Sequence, residues 1–236
     1  MRWPARIRMV VDLQLLSIYR TLYTLLPTER GVILDVGGGE QPWRSLVSPH
    51  ANYTMIDIPS GFSTRHKDCA LFDGRQFPIR SDSCDVVISV EVLEHVQGLN
   101  GHLMEIARVL KPGGKLIATT PWSARLHFAP LDFQRLSPYG ISSLLESSGL
   151  VLHSLSARGN FFSVVANKTL TYLLGPPERE IRSLILFLIF RPLTLILLTP
   201  FLAIAHVFAL IGEFFNIHSN SDPLGWTFIA IKPVGD

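Results

Sequence analysis

The chain has 236 residues, enough for one packed α/β core with additions and too few for two ordinary domains. Hydrophobic residues make up 47% and the mean hydropathy is +0.30, which excludes intrinsic disorder and is high for a protein living only in water. The 21 basic residues nearly cancel the 19 acidic ones, so a broad basic face for nucleic-acid binding is not expected. The two cysteines, Cys69 and Cys84, show no CxxC motif and no His/Cys cluster, so the sequence offers neither a disulfide framework nor a zinc site and suits a reducing compartment.

Taken in chain order, Ile7, Val11, Leu15, Ile18, Leu22 and Leu25 recur at helical spacing. They predict an amphipathic helix over residues 5–26, within an N-terminal segment of residues 1–30. Asp12 and Gln14 interrupt the apolar run after Arg2, Arg6 and Arg8, and no small-residue cleavage site follows, so it does not read as a secretion signal. From residue 31 short apolar runs alternate with helical segments, as in a parallel sheet covered by helices. Strands are expected at Val32–Val36, Tyr53–Ile58, Asp85–Val90 and Lys115–Thr120. A helix ending over Met104–Leu110 is closed by Lys111-Pro112-Gly113-Gly114. Pro138–Ser148 reads as a helix, Leu150–Leu155 and Phe161–Ala166 as extended segments, and Trp226–Lys232 as a last strand.

The apolar excess is concentrated. From Ser183 to Gly212 the only charged residue is Arg191, and Pro192–Gly212 has none. As a helix those 21 residues would be about 30 Å long, enough to cross a hydrocarbon core. Pro192 and Pro200 point to a kinked or two-piece element.

The sharpest motif is Leu34-Asp35-Val36-Gly37-Gly38-Gly39-Glu40, a glycine-rich turn directly after a strand, where missing side chains let a ligand approach the backbone. The third glycine of the dinucleotide pattern is absent, since Glu40-Gln41-Pro42 follows, and nicotinamide chemistry is disfavoured. Asp57 ends the second strand, where a carboxylate can accept hydrogen bonds from two ribose hydroxyls. His127 lies just past the fifth strand with Asp132 behind it, a candidate general base and its neighbour. Arg135 suits an anionic acceptor or a pairing with Asp132. His95, Trp122 and Phe128 each have structural and pocket readings, and a lone His206 in the apolar run reads as locally satisfied.

With these residues in view, the stretch from Gly31 to Phe162 resembles the class I S-adenosylmethionine-dependent methyltransferases. Val32–Gly39 matches their first motif, Asp57 the ribose-binding acid, and Asp73 in Phe72-Asp73-Gly74-Arg75 the adenine-contacting acid. Ser83–Val96, including Ser89, Glu91, Glu94 and His95, resembles the fourth-strand motif, and Arg108–Leu116 the turn into the fifth strand. Gly39-Glu40-Gln41-Pro42-Trp43-Arg44, with Pro130, Asp132, Phe133, Arg135, Pro138, Tyr139 and Gly140, is similar to a bacterial subgroup tied to cell-surface glycan or lipid modification.

The resemblance implies a Rossmann-like α/β fold with a seven-stranded sheet, whose last strand runs antiparallel beside the fifth, and S-adenosylmethionine as cofactor. Asp35, Gly37, Gly38, Gly39, Asp57, Ile58, Asp73, Gly74, Ser89 and Glu91 would bind it. The amides of Gly37 and Gly39 would face its amino-acid end, Asp57 the ribose, Asp73 the adenine amine, and Ser89–Glu91 the methionine side. The catalytic core would span residues 31–167, a hydrophobic helical insert residues 168–224, and the returning last strand residues 225–236. Because both ends of the insert return to one sheet, an odd number of membrane crossings is excluded. A shallow hairpin, interfacial helices or a buried helical subdomain remain, and Arg179, Arg182 and Arg191 suit anionic headgroups. The expected function is methyl transfer to an amphiphilic or lipid-linked acceptor at the cytoplasmic face of the membrane. The alternatives are a soluble small-molecule methyltransferase whose insert forms a lid or dimer surface, and a non-catalytic membrane scaffold.

Overall fold

The structure, a computed structural model, describes residues 12–39, 43–59, 69–174 and 181–235, with no side chains described from 172 to 195. Glu40, Gln41, Pro42 and residues 5–11 of the expected N-terminal helix therefore lie outside the described residues, as do the side chains of Arg179, Arg182 and Arg191.

The chain forms two compact units. The larger is built on one sheet ordered β3-β2-β1-β4-β5-β7-β6. Its strands are β1 (Val32–Val36), β2 (Asn52–Asp57), β3 (Cys69–Leu71), β4 (Cys84–Val90), β5 (Leu110–Pro121), β6 (Val151–Arg158) and β7 (Gly225–Ile231). The first five run parallel, and β7 pairs antiparallel with β5 from Lys115↔Ile231 to Pro121↔Gly225. This is the seven-stranded Rossmann-like order that the motifs implied. The central strands are near-continuous apolar runs because helices cover both sheet faces, and Ile33, Leu34, Val87, Ile88, Leu116 and Ile117 are all fully buried. β3 was not expected: three residues, two of them exposed, carry too short a pattern to be read. Lys111–Gly114 does turn the chain, but within β5, as a bulge where the β4 pairing shifts register between Cys84 and Val86.

The helices are α1 (Leu13–Leu25), α2 (Leu99–Val109), α3 (Pro138–Ser147), α4 (Phe161–Leu174) and α5 (Ile181–Phe214). α2 turns Leu99, Leu103 and Ile106 inward, and α3 starts on Ser137, whose Oγ accepts the Gly140 N–H at 3.2 Å.

The second unit contains the α4–α5 hairpin. Phe161–Ala166, expected to be extended, is the first part of α4. The reason is local: the Asn160 side chain accepts the Ser163 N–H at 3.0 Å, while the Ser163 hydroxyl accepts the Asn160 N–H at 3.3 Å, a reciprocal cap. That cap and the helix packing outweigh the β propensity of Phe-Phe-Ser-Val-Val. Asn160 Nδ2 donates to the Ala209 carbonyl of α5 and Phe162 stacks on Phe208, so the two helices run antiparallel. Leu13, Val164, Ala166, Ala205, Ala209 and Leu224 form this unit's core. The two-piece alternative for the insert is corrected, because α5 continues through Pro192 and Pro200. Each proline removes one i→i−4 bond, while the neighbouring residues keep the ladder going.

Candidate active site

The residues singled out from the sequence gather at one edge of the sheet, the carboxyl ends of the parallel strands, where open α/β sheets bind ligands. Gly37–Gly39 follow β1, Asp57 ends β2, Asp73 follows β3, Glu91 and Glu94 follow β4, and His127 and Asp132 follow β5. A cavity of about 370 Å³ between Arg30, Asp85 and Lys111–Lys115 opens at the opposite, amino ends and holds none of them.

Asp35 is buried in β1 and accepts a hydrogen bond from the Tyr53 hydroxyl at 2.5 Å. Burial pushes its carboxyl up to about 6, against the pull of the Tyr53 hydrogen bond, and the nearby Asp57 adds to the rise. The Arg44 guanidinium lies 4.5 Å over the Tyr53 ring. Gly38 has to be glycine: a Cβ there would stand 2.4 Å from Met55 Sδ and 2.9 Å from Asp35 Oδ2. Gly37 adopts φ +73, and its amide donates to the Ile56 carbonyl at 2.8 Å. That amide continues the β1–β2 ladder and does not face a cofactor, which corrects the expectation for Gly37. Gly39, at φ +55, has an open Cβ direction, and its amide reaches Asp57 Oδ2 at 3.2 Å.

The other Asp57 oxygen accepts the Ile58 amide at 2.8 Å, and burial raises the carboxyl above its ordinary value. Asp73 is fully exposed, its Oδ1 closing a turn by accepting the Arg75 and Gln76 amides beside Gly74. Ser89 Oγ is completely buried with no hydrogen-bond partner. Glu91 takes φ +54, and its Oε1 accepts the Thr119 hydroxyl at 2.9 Å. The buried glycine turn, a carboxylate held by backbone amides and an orphaned hydroxyl suit a nucleoside cofactor with a polar amino-acid end.

Beyond β5, the loop to α3 clasps the short turn Leu93–His95. The Phe133 amide donates to the Glu94 carbonyl, Gln134 donates to the Leu93 and Val96 carbonyls, and His95 Nδ1 donates to the Leu131 carbonyl. His127 and Asp132, picked from the sequence as a pair, are one: Nδ1 lies 3.2 Å from Asp132 Oδ2. Arg135 grips the same carboxylate with two hydrogen bonds, at 2.6 and 2.9 Å, and holds it well below the usual carboxylate range. The Asp132 alternative for Arg135 is thus realised. Phe128 is exposed and packs its ring edge-on to His95 and His127, while Trp122 packs edge-on to Trp226. Sequence reasoning passed over three contributors. Tyr53 shares a sheet face with Asp57 by strand alternation, Thr119 is set by β-register, and Glu94 was noticed only as the neighbour of His95.

Residues 34–118 match the family model described as a methyltransferase domain. A probable S-adenosylmethionine-dependent methyltransferase of Mycolicibacterium smegmatis is 31% identical over 107 residues, 42% of this chain and 37% of that protein. A demethylmenaquinone methyltransferase of Tropheryma whipplei is 33% identical over 113 residues, 44% of this chain and 46% of that protein. The chain therefore spans less than half the length of these curated relatives. Among solved structures, a putative methyltransferase from Bacillus halodurans superposes with a TM-score of 0.55 at 13% identity, covering 92% of this chain and 99% of that one, a likeness of fold. Residues 34–118 are thus similar to a methyltransferase domain, and the fold around them is that of class I, S-adenosylmethionine-dependent methyltransferases, for which S-adenosylmethionine is the implied cofactor.

Proposed function

We propose that the protein transfers a methyl group from S-adenosylmethionine to an amphiphilic or lipid-linked acceptor at the cytoplasmic face of a membrane, as in the glycan- and lipid-modifying bacterial subgroup it resembles. The observation that carries the cofactor half is the buried carboxylate of Asp57 at a glycine turn too tight for any side chain at Gly38. Asp57 would hold the ribose, Asp73 and Gly74 the adenine, and Gly39, Ser89 and Glu91 the amino-acid and methionine end. The cofactor's sulfonium supplies an already electrophilic methyl, so the chain has to orient, exclude water and manage the acceptor's proton. His127, oriented by Asp132, serves that last task for a hydroxyl acceptor.

The membrane half is supported by α5. Its Ala205–Ala209 side is buried within the second unit, while Ile196, Phe201, Ile204, Val207 and Phe214 on its other sides are exposed. The segment Ile196–Phe214 is long and apolar enough to cross a bilayer, with a mean hydropathy of 1.9, yet only 22% of it is buried. That much uncovered apolar surface needs a cover. An antiparallel hairpin returns the chain to the side it left, so monotopic insertion is consistent with β7 rejoining β5.

Calorimetric titration of detergent-purified protein with S-adenosylmethionine tests the first half. Asp57→Ala is expected to weaken binding by roughly 10- to 150-fold, about 1.5–3 kcal/mol for hydrogen bonds to a charged group. Flotation with liposomes, and transfer of labelled methyl into the organic phase of a lipid extract, test the second. Tight cofactor binding with no flotation would leave a soluble enzyme whose insert is a lid or dimer surface, and no cofactor binding by folded protein would favour a scaffold.

A further inference from the structure

We propose that Glu94, His95 and His127 form a site for one divalent transition-metal cation of the zinc type, on the acceptor side of the cofactor residues. The three side chains come from two separate segments, the turn after β4 and the loop after β5, and their ligand atoms lie within 4.8 Å of one another. Glu94 is completely buried, and neither carboxylate oxygen has a hydrogen-bond partner. Its Oε1 is 3.6 Å from His95 Nε2 and 3.8 Å from His127 Nε2, ion-pair contacts when an imidazole is protonated but longer than hydrogen bonds. A buried carboxylate left this way is costly, and the cost is removed by a cation placed among the three.

The orientation of the imidazoles supplies the second argument. His95 commits its Nδ1–H to the Leu131 carbonyl at 2.5 Å, and His127 places Nδ1 3.2 Å from the Asp132 carboxylate. Each ring is thus steered by a carbonyl or a carboxylate so that Nε2 turns towards Glu94, the outer arrangement that metal-bound histidines use. Asp132 is in turn fixed by Arg135. Two ligand atoms each about 2.1 Å from a tetrahedral ion stand about 3.4 Å apart, so the two Glu94–imidazole spacings lie within a few tenths of an ångström of that value, and all three ligand atoms lie within 4.8 Å of one another. The local charge agrees, because the carboxylates of Glu91, Glu94 and Asp132 all gather around the Arg135 guanidinium. Two imidazoles and one carboxylate favour zinc-type cations over magnesium or calcium, and three protein ligands leave a fourth position open.

The use of that open position rests on the methyl-transfer reading. A hydroxyl oxygen bound there is acidified and releases its proton to water, the task otherwise given to His127 as general base. It selects acceptors that present a hydroxyl or enol.

The test uses the full chain, stripped with chelator and titrated with Co²⁺ and Zn²⁺, with metal content measured after desalting and the visible absorption of bound Co²⁺ recorded. One equivalent per chain is expected. Glu94→Gln should abolish its retention, and Asp132→Asn should weaken it about 10- to 100-fold. If Glu94→Gln does not fold, His127→Ala, at a half-exposed position, gives the same reading. Absence of retained metal in wild type, or equal retention in the ligand variants, overturns the site. Titration of the stripped wild type with S-adenosylmethionine runs beside it. Cofactor binding without metal binding sinks the cation site alone, and metal binding without cofactor binding sinks the methyl-transfer reading alone.

Discussion

At the residue scale, the chemistry rests on buried carboxylates whose surroundings differ. Asp35 sits in the sheet with one tyrosine hydroxyl for company and is raised to about 6, whereas Asp132 meets a guanidinium and is lowered. The raised group favours its proton in the folded state. Its contribution to stability is complete below the unfolded value of 3.8 and is lost as pH rises through about 6. Asp35→Asn should remove that dependence: from pH 4 to pH 7 the wild type should lose on the order of 3 kcal/mol relative to the variant in urea denaturation. Parallel pH profiles for the two proteins would falsify this assignment. The acid itself was legible, as the residue before Val36-Gly37-Gly38-Gly39. Its neutral tendency was not, because that depends on Tyr53 and on Asp57, brought beside it by the pairing of β1 with β2.

Among the elements, the strands were legible to within about two residues at most ends, since buried parallel strands read as apolar runs. The failure at α4 is instructive: Phe161-Phe162-Ser163-Val164-Val165 carries strand-forming residues, and the deciding signal was the Asn160–Ser163 cap three residues wide. Asn160→Ala removes the cap and the bond to the Ala209 carbonyl, and should cost about 1–2 kcal/mol, read as a lowered urea midpoint. An unchanged midpoint would mean that the hairpin needs neither. Gly212 belongs to the same joint, because a Cβ there would stand 2.0 Å from Asn160 Nδ2. Gly212→Ala is therefore expected to destabilise the hairpin even though alanine is the better helix former.

For the whole molecule, the outstanding property is the apolar surface of α5, which a soluble monomer would have to leave in water. Phe201 and Phe214 are 76% and 74% exposed. Replacing both with serine should lower liposome partitioning by about 3 kcal/mol or more, roughly a hundredfold, and leave cofactor binding intact. Flotation unaffected by the double change would place another surface at the bilayer. What the sequence by itself determined is what lies in local, contiguous patterns: the glycine turn after β1, the long buried strands of the sheet, the acid at the end of β2, and the confinement of apolar residues to one stretch. Only the tertiary structure decided what depends on segments distant in the chain. It carried α5 unbroken through two prolines, turned the Gly37 amide into the sheet, and set Glu94 and His95 against His127, a cluster assembled from two turns more than thirty residues apart. Spacing along the chain reports neighbours on one helix or strand; which carboxylate is left buried between two imidazoles is set by how separate loops pack at the sheet's edge.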